Sequence, residues 1–541
     1  MPVSLYHERT YQCPVCLALE TLTFDANMLI RTPHWKQIGR QIYHRECGRP
    51  SAPLITRPSW RQLKKGARRT GQVNGVFPLL DGSIYSKRKN YCPFRTPPLE
   101  AYASMLGDEN IERLQRLSER LKGLRLLELN ATAQGGGVAE MLYSSVPFLN
   151  SLGIETDWKV INGNKEFFEC TKKLHNLLQG MKDTFSWEME ESYCCTLTEC
   201  AKANLVDNAD VVIVNDPQPL GLVSYLKKPA QTWLWRCHID IEKTTLETNY
   251  ALRDFMARWI GHYNAAIFSA ADHIVSHWPL PNFIIPPFID PLSEKNREMS
   301  KQEIDRVLAK YYIDPRLPII AQIGRFDPWK GLDRTIAIYR EVRKKRKCQL
   351  VLAGSMASDD PEAESVLDRI YEETKNDDEI HVLNLSLDNR LENWMEVNAL
   401  QRSASVIIQP STKEGFGLVI TEALWKSKPV IAGNVGAIPL QIRDGDTGYF
   451  YKTPYETARL VINLLDNSRI AHKIGNRGKE HVEKYFLLPD RIADYLMAID
   501  MTVNGAWDKR VNAPYIISFL PWFKPSKRKT KIPVLLRRGT Q

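Results

Sequence analysis

Nowhere in the 541 residues do eighteen apolar side chains follow one another, so no membrane-spanning helix is expected. The opening Met1-Pro-Val-Ser-Leu-Tyr-His-Glu has no basic stretch leading into an apolar one, and nothing in it reads as a secretory signal. Cysteine is sparse as well: ten in a chain of this length is too few for a disulfide scaffold. Together with the missing signal, this places the protein in a reducing cytoplasm. A sustained excess of one charge is also lacking. The net charge of +10 comes from the two ends, where residues 1–96 hold 16 Lys+Arg against 5 Asp+Glu and residues 506–541 hold 9 against 1. The span between them is mildly acidic, which argues against a nucleic-acid binder.

What is present is a repeated alternation of short apolar runs with longer amphipathic stretches. Leu124–Leu129, Asp210–Val214, Thr232–Cys237 and Ala265–Ser269 read as buried strands, and 137–152 reads as a helix with Val138, Met141, Leu142, Val146 and Leu149 at helical spacing. A second set, Ile319–Ile323, Gln349–Ala353, Glu379–Leu383, Ser405–Gln409 and Pro429–Ala432, alternates with helical stretches such as Leu332–Lys345. This predicts an α/β protein of two Rossmann-like, doubly wound domains facing a cleft at the carboxyl ends of both sheets. The expected boundaries are 97–290 and 291–475, joined through the Pro-rich segment at Pro286, with a helix over 476–503 that ties the halves together. Residues 1–96 read as a small basic extension and 506–541 as a basic tail with one apolar patch, Tyr515–Phe523.

Three turns carry chemistry. Ala133-Gln-Gly-Gly-Gly-Val-Ala-Glu follows a strand and opens a helix; without Cβ atoms at Gly135 and Gly136, backbone N–H groups can approach an anion at the positive helix end. The same run would also serve as a plain strand-to-helix turn. Ile323-Gly-Arg-Phe-Asp-Pro-Trp-Lys-Gly repeats the pattern in the second half and brings Arg325 and Lys330 to one turn, a fork of donors beside a point charge, suited to a diphosphate. In Lys413-Glu-Gly-Phe-Gly-Leu-Val-Ile-Thr-Glu, Glu414 lies at the turn and Glu422 about two helical turns on. One carboxylate can meet a sugar and the other ribose hydroxyls, while Gly415, Phe416, Gly417 and Leu418 offer backbone N–H groups. In the first half, Asp216, Gln218, Arg236, His238 and Asp240 end two strands beside Trp235, the mixture of polar groups and aromatic face that sugar recognition needs.

Arg325 with Lys330, followed by the E-x7-E frame of Glu414 and Glu422, resembles the retaining glycosyltransferases of family four, whose fold is the GT-B arrangement of two Rossmann-like domains. Within that family the first half is similar to the trehalose glycosyltransferring synthases. The likeness is carried by Leu129-Asn-Ala-Thr-Ala-Gln-Gly-Gly-Gly-Val-Ala-Glu, Phe167-Phe-Glu-Cys-Thr-Lys-Lys-Leu-His-Asn-Leu-Leu-Gln-Gly, Asn215-Asp-Pro-Gln-Pro and Trp235-Arg-Cys-His-Ile-Asp, and runs from about Pro97 to Val503. The resemblance implies transfer of glucose from UDP-, ADP- or GDP-glucose to glucose, forming trehalose with retention by a front-face route and with no metal or cofactor required. It implies that Arg325 and Lys330 bind the donor diphosphate, Glu422 the ribose, Glu414 the hexose near its anomeric carbon, Gly135 and Gly136 the phosphates and His238 the hexose hydroxyls. The acceptor glucose would lie near Asp216, Gln218, Arg236 and Asp240. On this reading the Arg/Lys pair is the main catalytic element, because it stabilises charge growing on the leaving diphosphate.

Two rival readings stay open. A trehalose phosphorylase would use inorganic phosphate where the donor diphosphate lies, with nearly the same residues. A non-enzymatic interaction protein would use the basic ends, for example Lys64, Lys65, Arg68 and Arg69, on anionic partners; it leaves the four residues of the clamp unexplained. An oligomer is compatible with everything above. In the extension, Cys13 with Cys16 and His44 with Cys47 form two close pairs that could hold a tetrahedral structural zinc, or equally be four unlinked residues.

Overall fold

The computed structural model describes residues 97–504, apart from 135, 204–205, 207, 276–277, 279 and 357–361, and describes short strands at the two ends. Val211–Asn215 and Ile319–Ile323 are buried at every position, which is why β-branched side chains fill them: both faces of a parallel sheet are covered. The first sheet has nine strands. Beside Arg125–Asn130 lie Glu155–Val160 on one side and Val211–Asn215 on the other, followed by Thr232–Cys237, Ala265–Phe268 and Asn282–Ile284, all parallel. The strand order therefore reverses between Arg125–Asn130 and Val211–Asn215. The second sheet has six parallel strands, and its order reverses between Ile319–Ile323 and Val406–Gln409. Crevices open at such reversals, outside the carboxyl ends of the strands. Asn215 and Asp216 end one of these strands, and the turns bearing Arg325 and Glu414 follow two others.

The chain from 476 to 503 lies in two helices, Ser468–Tyr485 and Leu488–Val503. The break falls at Phe486 and Leu487, just ahead of Pro489 in the first turn of the next helix. There the backbone turns to bond the linker: Ile289 N–H donates to the Phe486 carbonyl (3.0 Å), and Leu488 N–H to the Ile289 carbonyl (2.9 Å). Linker bonds compensate for the missing helical ones. Beyond the break, Leu488, Ile492, Tyr495, Leu496 and Ile499 enter a core with Leu126, Ile213, Leu234 and Phe283, so the last helix covers one face of the first sheet.

The ends contribute more regular structure than their composition suggests. Ser83–Tyr85 is an antiparallel edge strand of the first sheet, and Ile516–Ser518, drawn from the apolar patch of the tail, pairs in parallel with Asn282–Ile284. Met1–Phe77 together with Ser386–Asn393 is a separate compact unit. It ends well before the boundary expected at 96, and it contains the antiparallel strands His7–Gln12 and Leu19–Asp25. Cys13, Cys16 and Cys47 lie outside the described residues, and His44 is described only as backbone in Gln41–His44; the zinc reading rests on them alone. No helix among the described residues is long and apolar enough to cross a membrane.

Candidate active site

After Ile319–Ile323, Asp327 caps a short 3-10 turn, Pro328–Lys330, by accepting the Trp329 N–H (2.9 Å). That turn aims Lys330 at the opposite strand end. Its Nζ lies 2.5 Å from Glu414 Oε2, with side chains 15% and 10% exposed. Ser411 Oγ donates to the same carboxylate oxygen (3.3 Å). Removing either member of so enclosed a pair would strand the other charge, at a cost of about 3–5 kcal/mol. Arg325 approaches Asp327 at 3.5 Å, and Lys172 comes to 3.6 Å of the same carboxylate from the helix Lys165–Leu178 of the first domain. Burial works against the Asp327 carboxylate, but Arg325, Lys172 and Lys330 outweigh it and hold the group below the ordinary carboxylate range. The clamp thus gathers three cations, Arg325, Lys172 and Lys330, with two buried acids, Asp327 and Glu414.

Glu414 is followed by the turn that starts the helix Leu418–Trp425. Gly417 takes φ +85°, a left-handed conformation that side chains rarely adopt. At Gly415 a Cβ would stand 1.9 Å from the His238 carbonyl oxygen. Backbone therefore meets backbone here, and the turn of one domain closes on a strand end of the other. The Phe416 ring is 4% exposed and sits in the core, 5.6 Å from the Phe486 ring, so its side chain serves packing.

Glu422 has a different partner from Glu414. It pairs with Lys295 of the linker (2.9 Å), which also pairs with Glu140 on the glycine-loop helix (2.6 Å). Burial opposes charge on Lys295, yet the two carboxylates raise its affinity for the proton above that of an ordinary lysine. These three side chains, with Asp290, Phe288 and Leu418, line a small pocket that is partly open to solvent. Gly136 precedes the helix Gly137–Ser151 in an extended conformation, and Gly137 lies against the Leu418 side chain. Gly135 lies outside the described residues.

On the first domain, Asp216 takes φ +63° and stitches two strand ends together. Its N–H donates to the Arg236 carbonyl (2.9 Å), its carbonyl accepts from Trp235 Nε1 (3.0 Å) and its Oδ1 accepts from His238 N–H (2.8 Å). His238 Nε2 meets Asn215 Oδ1 at 3.0 Å. Burial, and Arg236 behind it, push the imidazole well below its ordinary pKa, so it is neutral. Gln218 Oε1 is shut from solvent without a hydrogen-bond partner. Asp240 lies 3.6 Å from the buried His273, and its own pKa is raised by burial, against the pull of Lys413. Arg236 is not brought to the cleft beside it. Its guanidinium is stacked over Tyr495 (5.1 Å) and Phe288 (5.9 Å), inside the fold.

The comparisons fit this geometry. Residues 128–275 match the family "Trehalose synthase, N-terminal domain", and residues 303–481 match "Glycosyl transferases group 1". A trehalose synthase of Pyrococcus horikoshii is 41% identical over 401 residues, spanning 74% of this chain and 95% of that protein. The chain belongs to the trehalose synthase family. It is a glycosyltransferase, acting in trehalose-related glycosyl transfer. A trehalose phosphorylase of Pleurotus pulmonarius is 26% identical, spanning 76% of this chain but 62% of its own length. The GT-B fold is shared with an E. coli trehalose-6-phosphate protein solved with UDP-2-fluoro glucose, at a TM-score of 0.56 and 13% identity over 70% of this chain and 99% of that one.

Several residues of this family member escape a reading of motifs. Glu128, Lys295 and Tyr495 stand beside the motif residues yet belong to no motif, and Lys172, inside the stretch that begins at Phe167, carries no predicted role. Glu128 carried a signal, since a lone acid in the strand Arg125–Asn130, otherwise buried and mostly apolar, demands a partner. Lys295 carried none: in the sequence it is one solvated charge among many.

Proposed function

We propose that the enzyme is a family-four retaining hexosyltransferase that moves glucose from a nucleotide-glucose donor to glucose, forming trehalose and a nucleoside diphosphate. The C1–O bond to the diphosphate breaks, a bond from C1 to the acceptor hydroxyl oxygen forms on the same face, and the hydroxyl proton leaves with the diphosphate. The observation that carries this reading is the 2.5 Å Lys330–Glu414 pair, set beside Arg325 and beneath the His238 strand end. The Lys330 ammonium has three N–H donors, so it can hold Glu414 and still bond a phosphate oxygen. Arg325 adds a fork for the same diphosphate, and together they stabilise the leaving charge. Glu414, kept in place by Lys330 and Ser411, faces the positive charge that grows at the anomeric carbon. It supports that centre and does not attack it. Glu422 and Lys295 in the pocket suit a ribose diol, one accepting and one donating.

Phosphorolysis is the competing reading, because relatives of that name align over most of the same span. The fuller coverage and higher identity of the trehalose synthases favour the nucleotide route. Trehalose supplied with UDP, ADP or GDP should yield the corresponding nucleotide-glucose, in the absence of added metal. Glucose 1-phosphate formed from trehalose and inorganic phosphate alone, with no reaction of any nucleoside diphosphate, would overturn the proposal.

A further inference from the structure

Behind His238 lies a buried polar set to which Asn215 and Arg236 of the motifs belong together with Glu128 and Tyr495, which no motif names. The strands pair so that Ile213 stands opposite Glu128 and Asn215 opposite Arg236. With the two-residue period of a strand, Glu128, Asn215 and Arg236 all project to the face covered by the last helix. That helix brings Tyr495, whose hydroxyl donates to Glu128 Oε1. Asn215 Nδ2 donates to Glu128 Oε2 (2.8 Å) and to the Leu129 carbonyl (3.2 Å), and Asn215 Oδ1 meets His238 Nε2 (3.0 Å). Glu128 is 1%, Asn215 1% and Arg236 5% exposed, so water does not enter this account.

The amide of Asn215 has one self-consistent orientation. Two acceptors, the Leu129 carbonyl and the buried Glu128 side chain, claim its NH2 group; burial raises the Glu128 pKa, and Tyr495, Asn215 and Arg236 draw it back only in part. Its oxygen must then face His238, and an oxygen can only accept. We infer that Glu128 and Asn215 are positioning residues that hold His238 as the Nε2–H tautomer, leaving Nδ1 as a hydrogen-bond acceptor for a substrate hydroxyl. Among the described residues no protein group bonds Nδ1. The His238 backbone is held as well: Asp216 Oδ1 accepts its N–H, and the Gly415 turn packs against its carbonyl. A neutral imidazole locked with its lone pair outward accepts from a hydroxyl and cannot donate to it. It therefore selects an O–H and leaves the oxygen of that hydroxyl free for other donors. The tautomer stands on geometry alone; its use on a sugar hydroxyl rests on the proposed function.

The test is ¹⁵N NMR of the full chain labelled in histidine, with the His238 signal identified by its absence in His238→Gln. Wild type should show the Nε2–H form from pH 6 to 8; an Nδ1–H form or an imidazolium overturns the inference without any variant. Glu128→Gln places an amide where two donors converge, permits Asn215 to turn over, and should bring in the Nδ1–H form. With it, kcat/KM should fall about ten-fold, the worth of one hydrogen bond in a closed site. Tyr495→Phe leaves the Asn215 bond in place and should keep the wild-type tautomer. A folded Glu128→Gln enzyme with an unchanged His238 spectrum removes Glu128 from the relay. A switched tautomer with undiminished transfer upholds the relay and removes His238 from the proposed sugar contacts, so the two ideas fail separately.

Discussion

The two walls of the cleft are made ready in opposite ways. The second domain presents charges already paired, Lys330 with Glu414, Lys295 with Glu422 and Arg325 with Asp327, and two first-domain charges, Glu140 and Lys172, join Lys295 and Asp327. The first domain presents groups held by hydrogen bonds: His238 on Asn215 and Asp216, with the buried acid Glu128 bonded to Asn215 and Tyr495 beneath the surface. The difference teaches what each wall is for. Ion pairs can be shared with an incoming anion, because an ammonium has donors to spare and the partner keeps its own. A desolvated hydrogen-bond chain cannot be redirected in that way, and serves instead to fix one donor–acceptor pattern before any substrate arrives.

The contrast can be broken most severely on the charged side. Lys330→Ala removes the point charge from the clamp and strands Glu414, so kcat should fall about 10³-fold, measured as nucleotide-glucose formed from trehalose. Loss of binding alone, with kcat kept, would show that the pair serves the ground state only. The hydrogen-bonded wall is tested next through pH. His273 is buried with neither ring nitrogen hydrogen-bonded, and burial, helped by Lys243, lowers its pKa to about 4. Above pH 6.5 both folded and unfolded forms are neutral. As pH falls from 6.5 to 4 the unfolded chain takes up a proton that the folded one refuses, so stability is lost across that window, by about 3 kcal/mol in full. Asp290 and Asp490, raised to about 6 by burial, act in the opposite sense, but are common to wild type and variant. His273→Gln should flatten the difference between urea midpoints at pH 4 and 6.5 accordingly; an unchanged slope would remove this wall's acid sensitivity.

Smaller effects sharpen the comparison. Glu422→Gln weakens the pull on Lys295 and on a ribose diol together, and should raise the donor KM about ten-fold with kcat little changed. An equal loss in kcat would move Glu422 from binding to chemistry. Trp329→Phe deletes the Nε1 donation to Asn176 (3.4 Å) that links the clamp turn to the first domain. A bond this long should be worth two- to three-fold in kcat/KM, on the order of 0.5 kcal/mol. A loss approaching that of Lys330→Ala would mean that closure, rather than charge, governs the charged wall.

Much of the fold was legible in the residues. Strands such as Thr232–Cys237 and Ile319–Ile323 are read to their ends, since a strand buried on both faces is a bounded apolar run with turn residues beside it. The break at Phe486 was not, because nothing in the periodicity marks a turn that the linker stabilises through Ile289. Site residues divide along the same line. Lys330 and Glu414 lie in glycine-bearing turns after strands, where local sequence dictates local geometry, and the structure brings them to 2.5 Å. Arg236 has equal standing in the motif, yet strand alternation and the ring of Tyr495, 259 residues on, turn it inward. Phe416 likewise sits between two glycines and still belongs to the core.

Sequence alone determined which side chains stand at strand ends, because the alternation of apolar runs and glycine turns is a local property of the chain. Only the tertiary structure decided which of them share a charge. Lys295, Lys172, Glu128 and Tyr495 gain their roles from partners between 87 and 367 positions away, and pairing over such distances is set by how sheets and helices close on each other. A charge in a sequence has no partner until the fold removes the water around it.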